Sequence, residues 1–325
     1  MDTIVVENIF AKQIKWKTIS KRVLALLDAI VKHTSVCIRR IAEDRAEEVA
    51  FNRLLGKEDF RKVHIMKALY EKTAKRVNGE HILAIQDTSE LNYQSMEKRV
   101  SGLGTVGNGT DKGFFIHPMI AINESDNALI GLAAVKIINR LKPKADNYKS
   151  LPIEKKESFK WLSCSLRAKQ TLKNASMITH ISDRESDVYE FLYRVPDEKN
   201  HVLIRSAQNR NIENSEKKLF EFVGEQKVKG VISVKISGKP NKRTAHEAKL
   251  EVRFTKVLLS KPLHCSDKKA PERIMVNAIE LKENKTTVHD GEEPVYWLLL
   301  TTHEVTTLEE AKKIAEWYCQ RWHIE

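Results

Sequence analysis

Met177-Ile178-Thr179-His180-Ile181-Ser182-Asp183 is a short apolar run that closes on an acid, and helical spacing follows almost at once from Ser186 to Val195. A strand that ends on a carboxylate and turns into a helix is the repeating piece of an α/β sheet. Toward the N-terminus, His81 to Asp87 has the same form, Ile82-Leu83-Ala84-Ile85-Gln86 closing on Asp87, and Phe114 to Ile122 and Ala128 to Ile138 are further β-rich runs. A helical pattern at Pro152 to Leu172 precedes Met177, and Val202 to Ser206 follows the second helix. Three strands, helix, strand, helix, strand predicts a meander extended by parallel strands through helical crossovers, a mixed sheet covered by helices. The catalytic crevice is expected near the strand ends, where Asp87 and Asp183 stand.

The first quarter has a different texture. All eight prolines lie at or after Pro118, and Gly56 is the one glycine before Lys75. An all-helical region over 1–79 follows, stopped by Asn78-Gly79. Its apolar faces are Val23, Leu24, Leu26, Leu27, Ile30 and Val31, then Phe60, Val63, Met66, Tyr70, Ala74 and Val77. Between Lys217 and Glu293 the helical period gives way to alternating segments, Val228 to Ile236, Ala248 to Leu258 and Ile274 to Leu281, with basic loops. The organisation expected is a core of 80–216 and 294–325 interrupted by an antiparallel β subdomain over 217–293.

Fifty-six basic against 44 acidic residues leave a net charge of +12, which points toward a polyanionic partner. The longest apolar runs reach about eight residues, short of the roughly 20 a membrane span needs. The N-terminus shows no secretory pattern, and Cys37, Cys164, Cys265 and Cys319 have no C-x-x-C spacing. A reducing, cytoplasmic setting is expected. Ser101 to Gly113 holds five glycines without a Gly-Lys-Ser/Thr ending, which predicts a mobile loop and not a P-loop.

Thr307 and Glu310 form a capping box, and Leu308, Ala311, Ala315, Tyr318 and Trp322 run as an apolar stripe whose next position is Glu325. A carboxylate there costs several kcal/mol unless a cation meets it, and Arg321, one turn earlier, supplies part of that partner. Taken singly, Asp87 or Asp183 is as readily a turn residue or a helix cap. With Glu325 they make three acids, which within about 4 Å repel by roughly 4 kcal/mol per pair at an effective dielectric of 20. Oxygen-only ligands select Mg²⁺ or Mn²⁺, and two such ions make a phosphodiester-cleaving site.

Leu83 to Tyr93 (LAIQDTSELNY), Ile178 to Leu192 (ITHISDRESDVYEFL), Val202 to Ser206 (VLIRS), Tyr296 to Thr302 (YWLLLTT) and Trp317 to Glu325 (WYCQRWHIE) together resemble the bacterial insertion-sequence-four transposases, close to the transposon-five type. The resemblance runs from about Phe51 to the last residue. It implies an RNase H-like fold with a β insertion between the second aspartate and the glutamate. It assigns Asp87, Asp183 and Glu325, spaced by 96 and 142 residues, as the D-D-E triad holding two Mg²⁺ ions, with Mn²⁺ able to substitute. The family signature Tyr, two residues, Arg, three residues, Glu, six residues, Lys is matched by Tyr318, Arg321 and Glu325, and its lysine falls beyond residue 325.

Tyr318 and Arg321 are then expected to grip a backbone phosphate. Trp297 and Trp322 fall where the family stacks a flipped base, and Arg205 and Arg210 match positions near donor-DNA phosphates. The implied activity is cut-and-paste transposition. Water is directed at one strand of the element end, the freed 3′-hydroxyl forms a hairpin on the opposite strand, and the opened end joins target DNA. The implied partners are double-stranded transposon-end and target DNA, with a homodimer in the synaptic complex. C-terminal helices that family members use for dimer contact are read as absent. Two alternatives stand beside this: an inactive truncated transposase that only binds element ends, and a metal-dependent DNA nuclease.

Overall fold

A computed structural model describes residues 17–57, 62–107, 109–141, 147–213, 215–236, 238 and 243–324. The chain divides into two compact units, Met1–Arg76 and Val77–Glu325.

The first unit contains α1 (Lys17–His33), α2 (Ile38–Ile41), α3 (Arg45–Leu55) and α4 (Lys62–Ala74). Asp44 caps α3 by accepting the Glu47 N–H at 2.7 Å, which satisfies one of the free donors of the first turn. Val23, Leu26, Ile41, Phe51, Leu54 and Ala68 form one buried cluster, which the first stripe faces through Val23, Leu26, Leu27 and Ile30, whereas α4 enters it through Ile65 and Ala68 and not through the Met66, Tyr70 and Ala74 read from the sequence. Phe60 lies outside the described residues. No described helix is long and apolar enough to cross a membrane.

The second unit is a mixed α/β structure built on one large sheet. Its strands are β1 (His81–Gln86), β2 (Ser89–Asn92), β3 (Gly104–Val106), β4 (Asp111–Asn123), β5 (Leu129–Ile138), β6 (Met177–Ser182), β7 (Asn200–Arg205), β8 (Gly230–Ile236), β9 (His246–Ser260), β10 (Arg273–Glu283) and β11 (Tyr296–Thr301). β4 pairs antiparallel with both β5 and β1, and β1, β6 and β7 run parallel, as the crossover pattern predicts. The helices are α5 (Phe159–Thr171) before β6, α6 (Tyr189–Arg194) between β6 and β7, α7 (Leu219–Gly224) and α8 (Leu308–Cys319).

Alternation along β1 assigns the two faces. Ile82 and Ala84 pack with Cys164, Ala168 and Leu172 of α5 and its end, whereas Leu83 and Ile85 pack with Ala311, Ile314, Ala315 and Tyr318 of α8. Ile178 and Ile181 on β6 divide in the same way. The central strands are therefore buried on both sides and read as continuous apolar runs.

Four expectations change. The stretch 217–293 does not stand apart: β11 pairs antiparallel with β7 on one edge and β10 on the other, which carries β10, β9 and β8 into the same sheet. The fully buried Leu298, Leu299 and Leu300 suit that central position. The same stretch also begins with α7, a helix too short for its period to register. The glycine-rich run is mostly a β3–β4 hairpin, in which a Cβ at Gly113 would collide with the Leu91 carbonyl. The helix read from Pro152 begins only at Phe159, after 3-10 turns at Tyr148–Ser150 and Ile153–Lys155.

Candidate active site

β1 and β6 pair in parallel with Ile85 opposite Ile181. Two steps further along the same register, at the C-terminal ends of both strands, stand Asp87 and Asp183. Neighbouring strands lie about 4.8 Å apart, so the two acids start from adjacent backbone positions. By alternation from Ile85 and Ile181, both belong to the face covered by α8.

Asp87 sits at a break. β1 and β2 lie end to end along one edge of β4, with Gln86 opposite Met119 and Ser89 opposite Ile116. Pro118 faces the gap, and it has no N–H to donate to the ladder. The Asp87 N–H reaches the Pro118 carbonyl only at 3.4 Å. Asp87 Oδ1 accepts the Thr88 N–H at 2.7 Å, and Oδ2 accepts Arg321 Nη1 at 2.7 Å. Asp183 caps the 3-10 turn Arg184–Ser186, its Oδ1 accepting the Glu185 N–H at 2.9 Å. Burial pushes the Asp183 carboxyl above its ordinary value, while the Glu185 N–H and the Arg321 and Lys160 charges pull it back. Arg321 thus acts on both acids.

α8 delivers that arginine. Thr307 Oγ1 accepts the Glu310 N–H at 3.2 Å and Glu310 returns to the Thr307 N–H at 3.0 Å, the capping box read from the sequence. The α-helical period ends at Cys319, and Gln320–Ile324 is a 3-10 turn. At three residues per turn the phase advances faster than in an α-helix. Arg321 is consequently buried and Trp322, expected on the apolar stripe, is 54% exposed. That expectation is corrected: Trp322 is not core, and the Arg321 guanidinium lies 4.7 Å from its ring centroid.

Tyr318 stays on the stripe, buried, with its ring 5.6 Å from Trp297 in an edge arrangement. Burial pushes its phenol up to about 12, against the pull of Arg321 and Arg205. Arg205, at the end of β7, is half-buried and donates to the Tyr296 carbonyl at 2.8 Å. Tyr318, Arg321, Trp297 and Arg205 therefore gather on the α8 face beside the acid pair.

Arg210 does not join them. It is buried, and its guanidinium is committed to Asp187, with Nη2 on Oδ1 at 2.5 Å, Nε on Oδ1 at 3.2 Å and Nη2 on the Asp187 carbonyl at 2.9 Å. By resemblance Arg210 matches a position near donor-DNA phosphates; in the structure that pair gives its guanidinium a structural partner away from the acid pair. Glu325 lies outside the described residues. Among the described residues, no group of three His, Cys, Asp or Glu side chains is placed to hold a metal.

Sequence reading missed the support around the acids. Lys160 of α5, almost fully buried, pairs with Glu185 at 3.2 Å. An open cleft of about 530 Å³ on the α5 side is lined by Thr88, Glu90, Arg140, Lys160, Trp161 and Glu185, and neither Asp87 nor Asp183 borders it. His117 of β4 is wholly buried, and burial, reinforced by Lys160 and Lys136, pushes it down to about 3. A lone polar residue in the apolar run Phe114 to Ile122 was the available signal for His117. Lys160 carried none, because a lysine in a helix ordinarily faces water.

No protein-family model matches the chain. Among solved structures it is similar to a chain of a cryo-EM structure of a piggyBac transposase synaptic complex with hairpin DNA, at 11% identity and a TM-score of 0.37. That similarity covers 92% of this chain and 55% of the other, so the chain spans about half the length of that transposase. A likeness at this score carries no weight for fold or function.

Proposed function

We propose that this chain is a DNA transposase of cut-and-paste type, with an RNase H-like core formed by β1, β4, β5, β6 and β7. One observation carries the reading: Asp87 and Asp183 occupy equivalent positions at the ends of adjacent parallel strands, on the face where the turn after α8 places Arg321 on Asp87. Two carboxylates with oxygen donors, one of them held above its ordinary pKa by burial, fit a hard divalent cation such as Mg²⁺ or Mn²⁺. Asp87 and Asp183 would hold it, with Glu325 as the third ligand of the proposal. When bound, paired ions of this kind activate a water or 3′-hydroxyl and stabilise the leaving oxygen of a phosphodiester.

The chain's own groups have separable tasks. Arg321 offsets the charge of the two acids before substrate arrives and offers a guanidinium fork to a backbone phosphate. Tyr318, a phenol that burial keeps neutral well beyond physiological pH, can donate a hydrogen bond to a phosphate without adding negative charge. Trp297 and the exposed Trp322 offer faces for an unstacked base. A synaptic homodimer and a hairpin intermediate belong to the same proposal.

The test is incubation of the chain with Mg²⁺ or Mn²⁺ and labelled duplex carrying an element end, with Asp183→Ala as control, resolved on a denaturing gel. Nicks and hairpins absent from the control support the proposal. Nicks that never lead to joined products would make it a nuclease, and end-specific binding without cleavage would make it an end-binding protein. Affinity no better for end DNA than for random DNA would overturn the transposase reading.

A further inference from the structure

His117 lies on β4 opposite the break between β1 and β2, and none of its surface is exposed. Its imidazole bridges that break. Nε2 is 3.1 Å from Gln86 Oε1, and Nδ1 is 2.8 Å from Thr88 Oγ1. Gln86 and Thr88 are the two neighbours of Asp87. One histidine therefore holds the residue before and the residue after the carboxylate, where Pro118 leaves the ladder without a donor.

The histidine is itself fixed by α5, on the sheet face opposite the acids. The Trp161 ring meets it edge-on at 4.5 Å, Cys164 Sγ lies 3.7 Å from the His117 carbonyl, and Ser165 Oγ accepts Gln86 Nε2 at 3.1 Å. A chain of buried polar contacts thus runs from α5 through Gln86 and His117 to Thr88. The Thr88 N–H in turn donates to Asp87 Oδ1. Buried networks of this kind rigidify when every member is satisfied.

We propose that His117 is a positioning residue for Asp87, clamping both flanking residues from the far face of the sheet so that the carboxylate keeps one orientation toward the cation and Arg321. The inference rests on the reading of Asp87 as a metal ligand in the proposed function. Groups that orient a ligand from behind typically change metal affinity by about 10- to 100-fold when removed.

The experiment uses the full chain and three substitutions at this position. His117→Leu removes both contacts, His117→Asn retains a polar group near Nδ1, and His117→Gln retains one near Nε2. His180→Leu serves as the matched control, because His180 is equally buried on β6 and bonds Asn200 instead of a neighbour of Asp87. Mn²⁺ affinity is measured by electron paramagnetic resonance of the free ion, and exchange of the Thr88 amide by NMR. His117→Leu should lose at least about tenfold in Mn²⁺ affinity and in Thr88 protection, and His117→Asn or His117→Gln should restore part of both. His180→Leu should lose comparable stability without either change.

Mn²⁺ affinity and Thr88 protection in His117→Leu within twofold of the His180→Leu control would overturn the inference. Equal Mn²⁺ binding by the unaltered chain and Asp183→Ala would overturn the metal reading of the proposed function. Thr88 exchange alone then decides whether His117 positions this segment, since that amide reports the clamp with or without metal.

Discussion

Replacing Arg210 by Met separates a buried structural arginine from a DNA-contacting one. The Asp187 side chain is 0% exposed and that of Arg210 6%. Asp187 Oδ2 accepts the Ala207 and Gln208 N–H groups, each at 2.7 Å, and the Ser206 hydroxyl at 3.2 Å, while Oδ1 takes the guanidinium. One carboxylate thus folds the loop that leaves β7. Removing one partner of such a pair strands a buried charge and costs about 3–5 kcal/mol. The three surviving donors to Oδ2 place Arg210→Met toward the lower end, about 3 kcal/mol. Urea unfolding followed by fluorescence of the five tryptophans measures this directly. Converting Asp187 to Asn in the Met variant should recover part of the loss, because the stranded charge goes with it. For DNA, an arginine that neutralises a phosphate contributes about 0.9 to the slope of log K against log salt, so the slope should stay unchanged here. A variant within about 1 kcal/mol of the unaltered chain whose salt slope flattens by about 0.9 would refute the structural role and restore the DNA contact.

Three further outcomes are expected. Burial pushes His117 and His303 down to about 3 and His180 to about 4, from 6.5. The unfolded chain therefore binds more protons below pH 6.5, so stability is complete above that pH and falls as pH drops toward 4. Linkage gives roughly 1.4 kcal/mol per histidine at pH 5.5, about 4 kcal/mol together, and urea midpoints that are flat between pH 7 and 5.5 would contradict it. Thr307→Ala removes the cap of α8 and should cost about 1 kcal/mol, read as a lowered urea midpoint. Trp322→Ala, at an exposed position, should leave stability within about 0.5 kcal/mol and weaken binding to end DNA by about 1–3 kcal/mol, whereas Trp297→Ala should also destabilise because its ring packs on Tyr318.

Legibility followed the range of the forces involved. The strands β1, β4, β5, β6 and β7 were readable because each is a local run of apolar and β-branched residues, and their parallel or antiparallel sense followed from the helices between them. β2 and β3 were not, since they are only four and three residues long, too short for alternation to register, and only pairing with β4 makes them strands. Asp87 and Asp183 were legible as acids closing apolar runs. That they stand in register was not, because register is a property of the pair.

Local pattern alone determined the alternating helices and strands, the helices described between Lys17 and Ala74, the capping box at Thr307 and the acids at strand ends, each through side-chain spacing and backbone propensity within a few residues. Tertiary structure decided what happens where those patterns meet. β11 binds the 217–293 strands into the central sheet, the 3-10 turn after Cys319 exchanges Trp322 for Arg321 at the acids, and Asp187 takes Arg210 out of solvent. The reason is common to all three: a buried polar or charged group must find its partner wherever the chain brings one, and that partner is set by packing across the fold and not by neighbours in the sequence.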